Sequence, residues 1–241
     1  MNRRSLEEGH PAGTDVTDTV AEPAGRPAPL MTPEEYTRTD EELLREGRPL
    51  ARTAVLSGAA LSIGVSQRDD APCVLRARRL GIPIVRRGTG GLGLWHAPGD
   101  VVWSLILPRS DARVGNDFSR AYARLGAGVV RFLGELGVSA DWRPPSGPVS
   151  EYCLLAGRGP ILSVGGLALG GAAQHLTRLA LLHHGVLPYR LDPPRISELF
   201  DLPVARVVGS LTSLEKVVNG LPPPALARRL RAVLASENQV R

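Results

Sequence analysis

The 241-residue chain has 43% hydrophobic and 22% charged residues and a net charge of +5, which fits a globular domain with a buried core and excludes a low-complexity or collagen-like chain. No apolar run approaches the ~20 residues of a membrane span, and the N-terminus has no hydrophobic stretch behind its arginines. Cys73 and Cys153 are too few for a disulfide framework or a four-ligand zinc site, so a cytoplasmic protein without a metal site is expected. Aromatics make up only 4% and the basic residues are scattered, which argues against nucleic acid as a partner. All but one of the 29 Lys and Arg residues are arginine; the exception is Lys216.

Residues 1–31, rich in Pro, Gly, Thr, Asp and Glu, read as a disordered tail, and 32–241 as one domain. Thr32-Pro33-Glu34-Glu35 is a capping box opening a helix through about Glu46. "TAVLSG" and "ALSIGVSQ" follow as short strands, then "DDAPCVLRARRLG" as a helix ending at Gly81, then "IPIVRR" as a strand. "DVVWSLILP" is apolar enough to be buried on both faces. Residues 116–137 place Phe118, Tyr122, Leu125, Val129, Phe132, Leu133 and Leu136 at helical spacing. "DWRPPSGPVS" reads as a loop, and "EYCLLAG", "ILSVGGLALGGAAQHL" and "TRLALLHHGVLPY" as strand-like segments of an antiparallel meander. Short helices are expected from about 193 onward. The pattern is α+β: a central mixed, largely antiparallel sheet with helices on one side.

Between two of these strands lies "RRGTGGLGLWHAPGD", residues 86–100. Glycines there can simply supply positive φ. The chemistry packed beside them points further. Arg86 and Arg87 offer charge-assisted donors, Gly90, Gly91 and Gly93 let backbone amides approach an anion, and His96 closes the segment. It is neither a P-loop, lacking Gly-Lys-Ser/Thr, nor a dinucleotide fingerprint, because a strand follows it.

This segment resembles the Arg-Arg-x-Ser/Thr-Gly-Gly-Gly-Ala-Val-aromatic-His-Asp motif of the biotin/lipoate protein ligase family, which includes lipoate–protein ligases and octanoyltransferases. "GAALSIGVSQ", with Gly64 and Gln67, and "GGAAQHLTRLALLHHGVLPY" are similar to two further family segments in the same order. The resemblance implies a smaller second sheet and a wall for an acyl or acyl-adenylate group, built from Arg86, Arg87, Thr89, Gly90, Gly91, Gly93, His96, Gly171, Ala173, Gln174, His184 and Gly185. Of His183 and His184, one is expected at the site and one in the core. The implied activity attaches lipoyl or octanoyl groups to a lysine of an acidic carrier: a lipoyl domain or a glycine-cleavage-type carrier protein. A ligase would use ATP and Mg2+. An octanoyltransferase would use no cofactor and take its acyl group from acyl carrier protein, through a cysteine thioester in some members.

The sequence departs from the family pattern at three places. The lysine three residues before the second-motif glycine is Ala168, the third glycine of the first motif is Leu92, and the Asp or Asn after the histidine is Ala97. Arg158 and Arg178 lie in other segments. Leu92 either narrows the acyl tunnel or occludes the adenylate. Cys153 is either a buried structural cysteine or a thioester nucleophile. The alternative to an active transferase is a catalytically impaired relative that binds an acyl ligand or a partner, such as a companion subunit supplying the lysine.

Overall fold

The computed structural model describes residues 27–115, 118–144, 150–156 and 160–237. Residues 1–26 of the expected tail, the Phe118 side chain, loop residues 145–149 and Arg158 lie outside these. The first helix, α1 (Pro33–Glu46), begins at the capping box: the Thr32 hydroxyl accepts from the Glu35 amide, and the Glu35 carboxylate accepts from the Thr32 amide. It ends at Gly47 with φ +68°. Just before it, β1 (Leu30–Met31) pairs in parallel with β2 (Leu50–Leu56), so the last residues of the expected tail are ordered.

Among the described residues there are two sheets. The larger runs β1-β2-β6-β10-β9-β8-β7, with β6 at Val101–Pro108, β7 at Ala140–Arg143, β8 at Ile161–Val164, β9 at Leu167–Leu176 and β10 at Ala180–Leu187. Apart from the β1–β2 pair, its ladders are antiparallel. The smaller has order β4-β3-β5, from Ile84–Arg86, Ala60–Ile63 and Leu94–His96. The mixed sheet and the smaller second sheet are therefore both present.

The meander differs from expectation in detail. "DWR" is not loop: Ala140–Arg143 pairs with β8 as an edge strand. "EYCLLAG" is not strand: Cys153–Leu155 form a single 3-10 turn. There, Tyr152 and Leu154 are buried on either side of Cys153, a burial pattern that a strand reading shares.

Helices cover both faces of the large sheet, which corrects the one-sided layer. On one face, α3 (Phe118–Glu135) and α7 (Pro223–Glu237) pack over Trp103, Leu105 and Leu107. On the other, α1 lays Tyr36 and Leu44 against Val102, Ile106 and Leu182. Strand β6 is sandwiched between them, so its run is apolar except at Ser104. A second core joins α2 (Pro72–Arg79), α4 (Pro193–Phe200) and α5 (Val204–Ser210) to the small sheet. The helix α6 (Leu214–Val217) carries Lys216, which is exposed.

Candidate functional site

A cleft partly open to solvent lies between α1, the small sheet and the inner face of β9 and β10. It exists because the sheet residues facing it are small: Gly171, Ala172, Ala173 and Gly185. Gly185 has no alternative, since a Cβ there would stand 2.5 Å from the Gly171 carbonyl oxygen and 2.6 Å from the Trp103 ring. Leu56, Leu94, Val102, Leu154 and Val186 make the remaining walls apolar. Polar groups are few: Tyr36, Thr37, Ser62, Arg87, His96, Cys153 and His184. An apolar slot with a few convergent polar groups suits a fatty chain with a reactive head.

The two arginines of the glycine segment part company, as neighbours on a strand must. Arg86 is exposed on the outer side, where it donates to the carbonyls of Gly64 (3.0 Å) and Gln67 (2.7 Å) and pairs with Asp69 at 2.5 Å. It braces the β3–α2 loop and does not line the cleft. Arg87 is 6% exposed and points inward. Its guanidinium donates to the Ser62 hydroxyl (3.1 Å) and to the carbonyls of Gly90 (3.0 Å) and Leu92 (2.9 Å). Leu92 thus contributes its carbonyl to the arginine's cradle, and its side chain is not among those lining the cleft. Gly91 has φ +103°, and a Cβ there would stand 2.6 Å from Arg87 Nη2. Gly64 packs on the same turn, its own missing Cβ falling on the Gly91 carbonyl. Gln67 donates to Cys73 Sγ (3.3 Å), outside the cleft.

Cys153 enters the cleft beside this turn. Its amide donates to the Gly93 carbonyl at 2.7 Å, so the glycine segment holds the cysteine's backbone directly. Gly93 is required for that approach, because a Cβ would collide with the Phe200 ring at 2.7 Å. Cys153 is half-buried, whereas Cys73 is fully buried and its thiol is pushed up to about 11, by burial first and then by Glu151.

The histidines divide as the alternation of a strand demands. His183 lies in the core between Trp103 and Tyr122, and burial holds it down to about 3. Gln174, its cross-strand partner, hydrogen-bonds it at 3.0 Å on that same face, so Gln174 does not line the cleft. His184 and its partner Ala173 face the cleft. His184 Nδ1 meets the Asp40 carboxylate at 2.9 Å, and its Nε2 meets the Thr89 hydroxyl at 2.9 Å. Thr89 is buried behind the wall and ties the glycine segment to β10.

Asp40 is the site residue that motif reading missed. It sits on α1, 1% exposed, and accepts from Arg52 (2.9 Å), Ser104 (2.8 Å) and His184. Because Ser104 gives its hydroxyl proton to Asp40, it receives the Tyr36 hydroxyl at 2.5 Å. The signal was present in the sequence: Tyr36, Asp40 and Leu44 recur every fourth residue on the helix's buried face. A carboxylate on such a stripe requires partners.

His96 lines the cleft from β5 with its Nδ1 unpartnered. Burial first, then the Arg87 charge and His184, push it down to about 3. Asp100, buried behind it, is raised to about 7 by burial against donation from the Ala97 and Tyr189 amides. Ala97 therefore leaves a carboxylate beside the histidine, supplied three positions later. Ala168 does not face the cleft. It is 8% exposed within the small-sheet core, bridges Leu211, and accepts the Thr212 amide at 2.9 Å through its carbonyl. Arg178 and Lys216 are exposed and do not line the cleft.

The profile of the lipoyl protein ligase A/B catalytic domain matches residues 33–235. The chain belongs to that family. Among its relatives are the octanoyltransferase LipM of an Exiguobacterium species, 32% identical over 64% of this chain and 59% of the relative, and that of Geobacillus kaustophilus, 30% identical over 70% and 66%. The chain thus spans about three-fifths of the length of the first of these relatives. Its fold is that of a lipoate-protein ligase A solved with ATP (TM-score 0.64, 20% identity, 87% of this chain and 83% of that one). A putative lipoate protein ligase from Thermoplasma acidophilum with bound lipoic acid is similar in fold (TM-score 0.63, 21% identity, 87% and 82%).

Proposed function

We propose that this family member transfers an octanoyl or lipoyl group from a thioester donor, such as an acylated carrier protein, to a lysine of a lipoyl-type carrier domain, with Cys153 carrying the acyl group between them. The observation that carries this reading is the Cys153 thiol in an apolar cleft, held by the glycine segment beside Arg87. The sulfur attacks the donor's acyl carbonyl; a new S–C bond forms, the donor's C–S bond breaks, and the donor departs as a thiol with a proton taken from solvent. The acceptor amine then attacks the acyl-cysteine; the amide C–N bond forms, the acyl C–S bond to Cys153 breaks, and the departing cysteine sulfur takes the proton that the amine gives up. The chain names as relatives octanoyltransferases, which supports this route.

The ligase route fits these residues less well. Among the described residues no carboxylate lines the cleft to share a Mg2+ ion, and the lining arginine, Arg87, is already committed to Ser62 and two carbonyls. The test is acylation of an apo lipoyl domain, read by mass spectrometry. Octanoyl-acyl carrier protein without ATP is expected to give octanoylated product, and Cys153→Ala none. Product formed only from free acid with ATP would overturn the thioester route.

A further inference from the structure

Arg87 is a buried cation with no anionic partner. It is 6% exposed, and no ion pair joins it to a carboxylate among the described residues; the groups it holds are one hydroxyl and two carbonyls. Buried charges normally appear with a counter-charge, because desolvation otherwise makes them costly. By contrast Arg52, equally buried, has Asp40. Something anionic at the Arg87 position is therefore missing from the neutral picture of the site.

A group able to become anionic lies beside Arg87 in the cleft lining, the Cys153 sulfur. A Cβ built on Gly91 would stand 2.6 Å from Arg87 Nη2 and 3.6 Å from Cys153 Sγ, so nitrogen and sulfur flank the same bare Cα and lie closer together than the sum of those distances. A side chain at Gly91 would contact both. The other titratable groups around them do not compete for this role. His96 is held neutral from β5, Tyr122 on α3 is raised to about 12, and the Tyr152 phenol is driven upward by burial. His184 is engaged by Asp40 and Thr89, while Glu151 and Cys73 meet each other on the far side of Gly93. The resemblance puts a lysine at position 168, and here that position is an alanine buried in an apolar core.

We propose that the Arg87 guanidinium is the counter-ion of the Cys153 thiolate, a fixed positive charge supplied from the glycine segment. The cation stabilises the sulfur before attack and again when the acyl group leaves it. Because a guanidinium does not give up its proton at working pH, it acts by charge alone. The proton that Cys153 gives up in forming the thiolate goes to solvent, and the departing donor sulfur takes one back from solvent.

This inference rests on the reading of Cys153 as the acyl carrier, but its test does not need acyl transfer. Iodoacetamide alkylation of each cysteine, followed by peptide mass spectrometry from pH 5.5 to 9.5, reads the thiolate directly. Cys153 in the wild-type chain is expected to react at a rate that changes less than threefold between pH 7 and 9, while Cys73 stays unreactive. An ordinary thiol titrates near 8.5, and a Cys153 rate rising tenfold or more over that range would overturn the proposal. Arg87→Gln is expected to slow Cys153 alkylation at pH 7 at least tenfold, with the rate regained by pH 9.5, and Arg87→Lys to restore part of it at pH 7. A loss that pH 9.5 does not recover, in a variant with wild-type circular dichroism, would assign Arg87 a purely structural role. If alkylation follows the expected profile while octanoyl transfer is absent, the ion pair stands and the transferase reading fails; if Cys153 is acylated but titrates as an ordinary thiol, the reverse holds.

Discussion

At the residue scale, the site depends on two buried arginines with different partners. Arg52 is neutralised by Asp40, whose other oxygen receives His184 and whose two oxygens share the Ser104 hydroxyl. Removing the carboxylate strands a cation and two further donors at once. Asp40→Ala is expected to lose about 3–5 kcal/mol of unfolding free energy, the range for breaking a buried pair, and Asp40→Asn less, in urea titrations. Loss below about 1 kcal/mol in the alanine variant would contradict the buried network. Motif reading grouped Arg86 with Arg87 and Gln174 with His184, although adjacent and cross-strand positions decide which face each takes. With His184 at the cleft, His183 and its partner Gln174 must face α3. The pairing register was what the sequence could not supply.

At the element scale, local chemistry was legible where a single cause dominates. The capping box of α1 is an example, as is the mostly apolar β6, which reads as a strand buried on both faces. The 3-10 turn at Cys153 was not legible, because two flanking buried apolar residues look the same in a short strand. The glycine segment is the element on which the chemistry hangs. Gly91→Ala meets both a positive φ and the Arg87 guanidinium. It is expected to reduce octanoyl transfer at least tenfold in steady-state assays while the urea midpoint shows the fold retained. Unchanged transfer would remove the close approach of Arg87 and Cys153 from the mechanism. Strand β9 yields a second test. Ala168 lies beneath Leu211 in an apolar cluster, so Ala168→Lys buries an ammonium without a partner. That variant is expected to lose several kcal/mol of stability and to gain no transfer activity. A stable variant with raised activity would mean that the position opens to the cleft.

At the scale of the whole molecule, the two-sheet α+β architecture followed from the strand and helix periodicities together with the three ordered motifs. The covering of both sheet faces did not, since nothing local says against which face a helix packs. Burial of titratable groups across this fold sets its acid response. His183 and His96 are held near 3, below the ordinary 6.5, so the folded chain binds fewer protons than the unfolded one below that pH. Their contribution is complete above pH 6.5 and falls as pH drops toward 3. Asp100, raised to about 7 from 3.8, acts in the opposite sense: its contribution is complete below 3.8 and is lost as pH rises through 7. Two histidines outweigh one aspartate, so the urea midpoint is expected to fall between pH 6.5 and 5. His183→Gln is expected to flatten that slope. A wild-type midpoint that rises on acidification would contradict the neutral, buried histidines.

The measurement closest to the central claim is the intact mass of the chain after brief exposure to octanoyl-acyl carrier protein and acid quench, without an acceptor. One octanoyl group is expected on the wild-type chain, mapped to Cys153, cleaved by neutral hydroxylamine and absent from Cys153→Ala. An unmodified wild-type chain, or an adduct that survives in Cys153→Ala, would contradict it.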